Sequence, residues 1–235
     1  MIEALQYEFM RNALMAGVLV SIACGVIGAY VVVNKIVFLS GGISHAAYGG
    51  IGLGYFLGIN PVLGAIAFSL ASALGMGVVS RKARQRADTA IGILWALGMA
   101  VGIIFIDLTP GYSADLMSYL FGSILAVTST DLWISGLLGL VVLSIVFLFY
   151  KELLFITFDP EMAEATGLPT TALYFLLIGL IALTVVLSIK VVGIVLVSAL
   201  LVTPAAAAYQ WTDDFRTMML LSASIGIGAA VVGLF

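Results

Sequence analysis

The chain consists largely of apolar runs close to 20 residues long, which recur from one end to the other. About 20 consecutive apolar residues are what an α-helix needs to cross a hydrocarbon core ~30 Å thick. Only 9% of the 235 residues are charged, whereas a soluble domain carries about 25%. The runs are continuous rather than alternating, which favours helices over a β-barrel. The pattern therefore predicts an all-α, polytopic helical bundle in the cell membrane, with residues 1–235 forming one transmembrane domain.

Polar breaks between the apolar runs predict about eight transmembrane helices. Their expected ranges are 12–33, 36–57, 62–79, 89–106, 131–150, 170–188, 191–208 and 217–235. The apolar stretch 118–127 is too short to span a membrane, so it predicts a half-helix or re-entrant segment packed on the bundle. The last run ends without a flanking polar residue, as expected of a chain that continues. Glu3 and Glu8 replace the positive region of a cleavable signal peptide, so none is expected.

The positive-inside rule gives the predicted orientation. Placing the basic loop 80–88 in the cytoplasm puts seven of the nine Lys and Arg residues inside and both termini outside. The inside residues are Lys35, Arg81, Lys82, Arg84, Arg86, Lys151 and Arg216, and the outside residues are Arg11 and Lys190. The basic loop is interpreted as a topology determinant, with anionic lipid or a cytoplasmic partner as alternative contacts. Asp107, Tyr112 and Asp115 then lie outside, as an acidic entrance, a contact for an outer partner or solvated loop residues.

The second predicted helix contains the only histidine, His45, inside a stretch from Ser40 to Gly58 that holds seven glycines. Small residues recur every four positions at Gly42, Ala46, Gly50 and Gly54. This spacing lets two membrane helices approach closely. An ionisable group near the middle of a bilayer usually faces a cavity or a path. Two interpretations stay open: a histidine in a transport path, and a neutral imidazole bonded to a neighbouring helix.

A polar segment at 151–169 predicts a short helix at the cytoplasmic surface. Asp159 is a good N-cap, Pro160 suits the first helical position and Gly167 suits the C-terminal end. By itself this segment is either a loop that rests on the membrane or a docking element for a cytoplasmic partner. Near the end of the seventh helix, Thr203 and Pro204 predict a kink, because proline removes a backbone donor.

Several function classes are disfavoured by what the sequence lacks. It contains no G-x-x-x-x-G-K-[ST] motif, no HExxH motif and no nucleophile–base pair, so an enzyme or an ATP-binding chain is not expected. It has no basic cluster interleaved with aromatic residues, so nucleic acid is not an expected partner. The single cysteine, Cys24, cannot form an internal disulfide and is interpreted as a packing residue.

Separated stretches of the chain resemble the permease subunits of the ABC importer family for divalent transition metals. KELLFITFDPEMAEATGLP resembles the cytoplasmic coupling segment of that family, and VFLSGGISHAAYGGIGLGYFLG resembles its second-helix motif. VVGIVLVSALLVTPAAAAYQWTDDFRTMMLLSASIGI resembles its C-terminal signature, and DLMSYLFGSILAVTSTDL also matches. The resemblance covers nearly the whole chain, with the motifs in the family's order.

The resemblance implies a permease that works as a homodimer or a pair of like subunits. Two cytoplasmic ATPase subunits would bind the ATP and dock on segment 158–168, and an extracytoplasmic binding protein would deliver the metal. This chain would hold no cofactor; zinc, manganese or iron would be its cargo, moved into the cytoplasm by alternating access. The ATPase-coupling residues would be Phe158, Asp159, Pro160, Glu161, Glu164 and Gly167. The cytoplasmic partner of the basic loop would be the ATPase, and the outer partner of the acidic loop would be the binding protein. The kink at Thr203 and Pro204 would be either a gating hinge or a static kink for packing.

In that family an Asp and a His of the second-helix motif line a metal site, and the matching positions here are Gly41 and His45. The histidine is present and the acid is absent. A neutral imidazole suits Zn²⁺, Fe²⁺ or Mn²⁺, and Ser40 and Ser44 are weaker candidate ligands. Two copies of His45 near a dimer axis would rebuild a two-ligand site.

Two alternatives to a metal-ion permease remain at this point. The first is a permease for a metal chelate or a corrinoid, which the absent acid at Gly41 motivates. The second is a channel or secondary transporter that needs no ATPase. Essentially no carboxylate lies at the helix centres, which disfavours the second alternative because secondary transporters often use such groups.

Overall fold

The structure, a computed structural model, describes residues 6–82, 87–110 and 116–235. Within these ranges the regular structure is helical: ten α-helices and one 3₁₀ turn. The helices are α1 Glu8–Val33, α2 Val37–Phe56, α3 Pro61–Lys82, α4 Ala87–Asp107, α5 Leu116–Phe121, α6 Ser129–Leu148, α7 Tyr150–Phe158, α8 Pro160–Ala165, α9 Thr170–Tyr209 and α10 Phe215–Leu234, and the 3₁₀ turn is Ile124–Ala126. Of the predicted loop residues, Arg84, Arg86, Tyr112 and Asp115 lie outside the described ranges.

The predicted polytopic helical bundle is confirmed, with a somewhat different helix count. In the described part of the chain, six helices are long and apolar enough to span a membrane: α1, α3, α4, α6, α9 and α10. Helix α9 has 40 residues and contains one non-helical residue, Gly193 at φ 80° and ψ 160°, so it consists of two helices joined at a kink. Helix α2 has 20 residues but is less apolar than these six, because of its glycines, its serines and His45.

Helix α2 lies at the centre of the bundle, between α3, α4 and α9. Small residues allow α3 and α4 to approach α2 closely. A Cβ on Gly50 would lie 2.6 Å from the Cβ of Phe68 in α3, and a Cβ on Gly98 of α4 would lie 2.6 Å from the Cα of Ala46. Real Cβ atoms are not found at such distances, so glycine is required on both sides of α2. The small-residue face predicted for this helix is therefore the face that packs.

The outer surface of the bundle carries large apolar side chains. Trp133 and Phe147 of α6 are 80% and 87% exposed. In water such exposure would be unfavourable, but it suits hydrocarbon. Inside the bundle, Cys24 is fully buried in α1, and its Sγ lies 3.4 Å from the hydroxyl of Ser188, which agrees with a packing role.

The short segment between α4 and α6 packs against the kink in α9. Gly122, at φ 72°, lies directly against Gly193, and the backbone N–H of Ser123 donates to the carbonyl of Lys190 over 3.3 Å. This is the predicted re-entrant piece: α5 and the 3₁₀ turn replace a spanning helix and rest on the place where α9 changes direction.

Candidate transport path and coupling helix

His45 is held by an aromatic stack rather than by a hydrogen bond. Its ring stacks on Trp95 of α4, with 4.2 Å between ring centroids and 17° between ring planes. Its Nδ1 is buried and has no hydrogen-bond partner among the described residues. A buried polar atom without a partner costs about 1–3 kcal/mol and is uncommon in folded proteins. Such an atom is available to a ligand.

Gly41, which stands where the family motif has an acid, faces the indole of Trp95. A Cβ on Gly41 would lie 3.4 Å from Cζ3 of Trp95 and 3.7 Å from the hydroxyl oxygen of Ser198 in α9. Trp95 therefore occupies the space beside Gly41. The Ser198 hydroxyl is also buried and without a partner in the described part of the chain. Sequence reasoning missed both Trp95 and Ser198, because neither lies in the second-helix motif.

The two predicted weak ligands, Ser40 and Ser44, are buried within α2. The Ser40 hydroxyl donates to the carbonyl of Val37 over 2.8 Å, and the Ser44 hydroxyl donates to the carbonyl of Ser40 over 2.9 Å. Both hydroxyl protons are used by the helix backbone, so only the oxygen lone pairs remain for a cation. The described residues contain no group of three or more His, Cys, Asp or Glu side chains that could hold a metal ion.

The surface helix α8 has the capping that the sequence predicts. The Asp159 carboxylate accepts from the backbone N–H of Met162 over 2.9 Å, Pro160 occupies the first turn, and Gly167 follows the helix at φ 86°. Ala163 is buried and anchors the helix to the bundle. Gly167 would be strained with any other side chain, because a φ of this sign favours glycine.

The opposite side of α8 is open. Phe158 and Met162 are 60% and 55% exposed, and Glu161 and Glu164 are exposed beside them. The segment thus presents apolar and acidic groups on a short rigid element. Helix α7, which precedes it, was not predicted as a separate helix, because its Lys151, Glu152 and Thr157 gave the segment the polarity of a loop.

The predicted hinge residues lie within the second half of α9. Thr203 is exposed and Pro204 is buried, and both lie inside the helix as it continues to Tyr209. The residue with non-helical backbone angles is Gly193 instead. A hinge at Thr203 and Pro204 therefore stays a prediction.

An ion pair that sequence reasoning missed lies beside the kink. The Lys190 ammonium donates to the Asp131 carboxylate over 2.6 Å, and it is the one ion pair found among the described residues. Asp131 also accepts from the Thr128 hydroxyl over 2.8 Å in a capping box at the start of α6. The pair ties α6 to α9 three residues before Gly193. No local pattern connects two residues this far apart in sequence.

In the described part of the chain, six helices that are long and apolar enough to span a membrane, together with a re-entrant piece and an exposed capped helix, define a polytopic membrane protein. The model of the family described as the ABC 3 transport family matches residues 6–235, and the chain belongs to this family. The predicted class, an ABC transporter permease embedded in the membrane, is thereby confirmed.

Relatives match over nearly the full chain. An uncharacterized membrane protein of Synechocystis sp. is 53% identical over 234 residues, which cover 100% of this chain and 83% of that protein. The manganese transport system membrane protein MntC of Halalkalibacterium halodurans is 41% identical over 233 residues, 99% of this chain and 80% of that protein. The solved structure of PsaBC from Streptococcus pneumoniae in complex with a Fab has a TM-score of 0.90 and 36% identity, and the match covers 100% of this chain and 84% of that one.

Proposed function

We propose that this chain is the permease subunit of an ATP-driven importer that moves Mn²⁺ into the cytoplasm. The observation that carries the proposal is the 41% identity, across 99% of the chain, to a manganese transport system membrane protein. Zinc and iron are the competing cargoes, because an imidazole ligand accepts all three divalent ions. Membership of the ABC 3 transport family argues against an ATPase-independent channel or secondary transporter.

The ion path in this proposal follows the face of α2 that carries His45. The unpartnered Nδ1 supplies one ligand, and the Ser198 hydroxyl with the oxygen atoms of Ser40 and Ser44 are weaker candidates. One imidazole makes a weak site, which suits transport because the ion must also leave. Trp95 covers one face of His45 and the space beside Gly41, so the arrangement suits a single ion better than a chelate or a corrinoid.

The driving force in this proposal enters through α8. Two ATPase subunits would dock on two copies of the chain, each contacting the exposed side of the coupling segment. The contact residues are Phe158, Asp159, Pro160, Glu161, Glu164 and Gly167. Helix α9 begins at Thr170, directly after this segment, and continues to the kink at Gly193. Movement of α8 would therefore be transmitted along α9, with Gly193 and the predicted Thr203–Pro204 hinge as the bending points.

The test is manganese accumulation in cells that lack their own importer and express this chain with its ATPase and binding protein. We expect His45→Ala to lower the uptake rate at least about tenfold, in line with the loss of a metal-site residue. Ser69→Ala is the matched control, because Ser69 in α3 is also a buried hydroxyl without a partner among the described residues. Normal uptake by His45→Ala would overturn the path, and uptake of zinc or iron in place of manganese would overturn the cargo.

A further inference from the structure

Two adjoining cavities open on one side of the bundle where α6 is followed by α7. Their volumes are about 570 Å³ and 640 Å³, and they share Phe147, Tyr150, Arg216 and Met219. The first also includes Lys151 and Glu152. The second continues between α6 and α10 over the surface of α1, and we call it the α6–α10 groove. The site therefore has a charged end and an apolar end.

The charged end holds two cations that no carboxylate neutralises through an ion pair. The Arg216 guanidinium lies over the Tyr150 ring, 5.1 Å from its centroid. Neither Arg216 nor Lys151 has a carboxylate oxygen within 4.0 Å in the part of the chain that the structure describes. Glu152 lines the same opening, so the residues that line it carry two positive charges and one negative charge. No hydrogen bond from the guanidinium is found among the described residues, so its N–H donors are free for a phosphate.

Nearby, Asp214 does not compete for Arg216 through an ion pair. Its carboxylate accepts from the backbone N–H and the hydroxyl of Thr217, over 2.8 Å and 2.7 Å, and so caps α10. These bonds, and to a smaller extent the positive charge of Arg216, hold the pKa of the Asp214 carboxyl below its usual range. The carboxylate stays at the helix terminus, and no ion pair joins it to the guanidinium in the described part of the chain.

The apolar end has the depth of one membrane leaflet. Along α10, the groove runs from Arg216 to Ile227, which is ~16 Å at 1.5 Å per residue. Half of a ~30 Å hydrocarbon core is ~15 Å. Leu220, which is 70% exposed, lines one wall, and Ile22 and Val26 of α1 form the floor. The charge pattern places the Arg216 end of α10 at the cytoplasmic surface.

We propose that this site binds one anionic phospholipid of the cytoplasmic leaflet. Its phosphate contacts Arg216 and Lys151, and one acyl chain lies in the α6–α10 groove. Basic pockets between spanning helices on the cytoplasmic side are suited to anionic headgroups. A cytoplasmic protein could reach the two cations but could not fill an apolar groove one leaflet deep, so the observations favour lipid over the ATPase. The proposal does not depend on which ion the permease carries.

The experiment counts lipids bound to the full-length purified protein by native mass spectrometry. Phosphatidylglycerol and phosphatidylcholine with the same acyl chains are titrated separately as probes. We expect tighter binding of phosphatidylglycerol, and a loss of about fivefold for Arg216→Gln, since a cation near a membrane surface contributes on this scale. Arg216→Gln with Lys151→Gln should lose tenfold or more. Phosphatidylcholine binding should change little.

Two further variants make the result specific. Lys35→Gln is the control, because Lys35 is also an exposed cation on the predicted cytoplasmic side, in the turn between α1 and α2, and lines neither cavity. Ser224→Phe fills the groove from an exposed position of α10 and should weaken phosphatidylglycerol binding without changing charge. Equal loss in Lys35→Gln, equal affinity for the two lipids, or retained binding in both site variants would each overturn the proposal. Loss of ATPase copurification with unchanged lipid binding in the double variant would assign the cations to the ATPase instead.

Discussion

Gly50 of α2 lies so close to α3 that a Cβ there would come within 2.6 Å of the Phe68 Cβ. A residue with a single added methyl group must therefore force the two helices apart. Gly228 of α10 provides the contrast, because a Cβ there would meet nothing within 4 Å in the described part of the structure. The two glycines thus differ in packing while sharing a helical backbone.

We expect Gly50→Ala to lower the free energy of unfolding by about 1–3 kcal/mol, the usual cost of overpacking. Gly228→Ala should leave stability unchanged or raise it by up to about 1 kcal/mol, because alanine is the better helix former. The measurement is thermal unfolding of the two detergent-solubilised variants beside the unmodified protein. Equal midpoints for the two variants would contradict a close-packed α2–α3 interface.

At the scale of single residues, the sequence predicted the packing face of α2 but not the neighbours of His45. Small residues at a spacing of four define a face whatever the partner helix is. The stack on Trp95 depends on how α4 is rotated against α2, and the approach of Ser198 depends on where α9 lies. Neither rotation nor position is encoded by a local pattern, so the site could be predicted only as far as His45 itself.

The role of α8 can be tested without disturbing its fold, because different residues cap the helix and form its exposed side. The Glu161 side chain is exposed and makes no hydrogen bond to another described residue, whereas Asp159 caps the helix. We expect Glu161→Arg to abolish manganese uptake while leaving the thermal midpoint unchanged, since it reverses a charge on the proposed ATPase contact. Asp88→Arg, which reverses an exposed charge at the start of α4, is the control and should keep its uptake. Normal uptake by Glu161→Arg would contradict a coupling role for this face.

The helices were predictable to within a few residues where an apolar run ended at a polar one. Helix α2 was expected over 36–57 and spans Val37–Phe56. The break in α9 was expected at Lys190, because a charge interrupts the apolar run there. It lies at Gly193, because a φ of 80° needs glycine, and the Lys190 charge is paired with Asp131 of α6. The charged residue thus predicted the region of the break, but the backbone conformation determines at which residue the helix breaks.

At the scale of the whole molecule, the described elements form a continuous mechanical connection. The exposed helix α8 leads directly into α9, and α9 reaches the kink at Gly193 on which the re-entrant segment rests. The Asp131–Lys190 pair ties that kink to α6. A force on the predicted cytoplasmic side would thus reach the opposite side through one helix. In the proposed importer, this force comes from the ATPase subunits that dock on α8.

The final prediction concerns that subunit. Gentle isolation of the complex from native membranes, followed by mass spectrometry, should recover a P-loop ATPase in equal amount, with two copies of each chain. Deletion of residues 160–166 should abolish recovery of the ATPase, because it removes α8, while the helical content of the permease by circular dichroism stays within a few per cent. Asp88→Arg is again the control, because it changes an exposed charge outside α8. This variant should keep the ATPase. A stable complex that contains this chain alone would overturn the coupling role of α8, because an exposed helix that no ATPase contacts cannot transmit the energy of ATP.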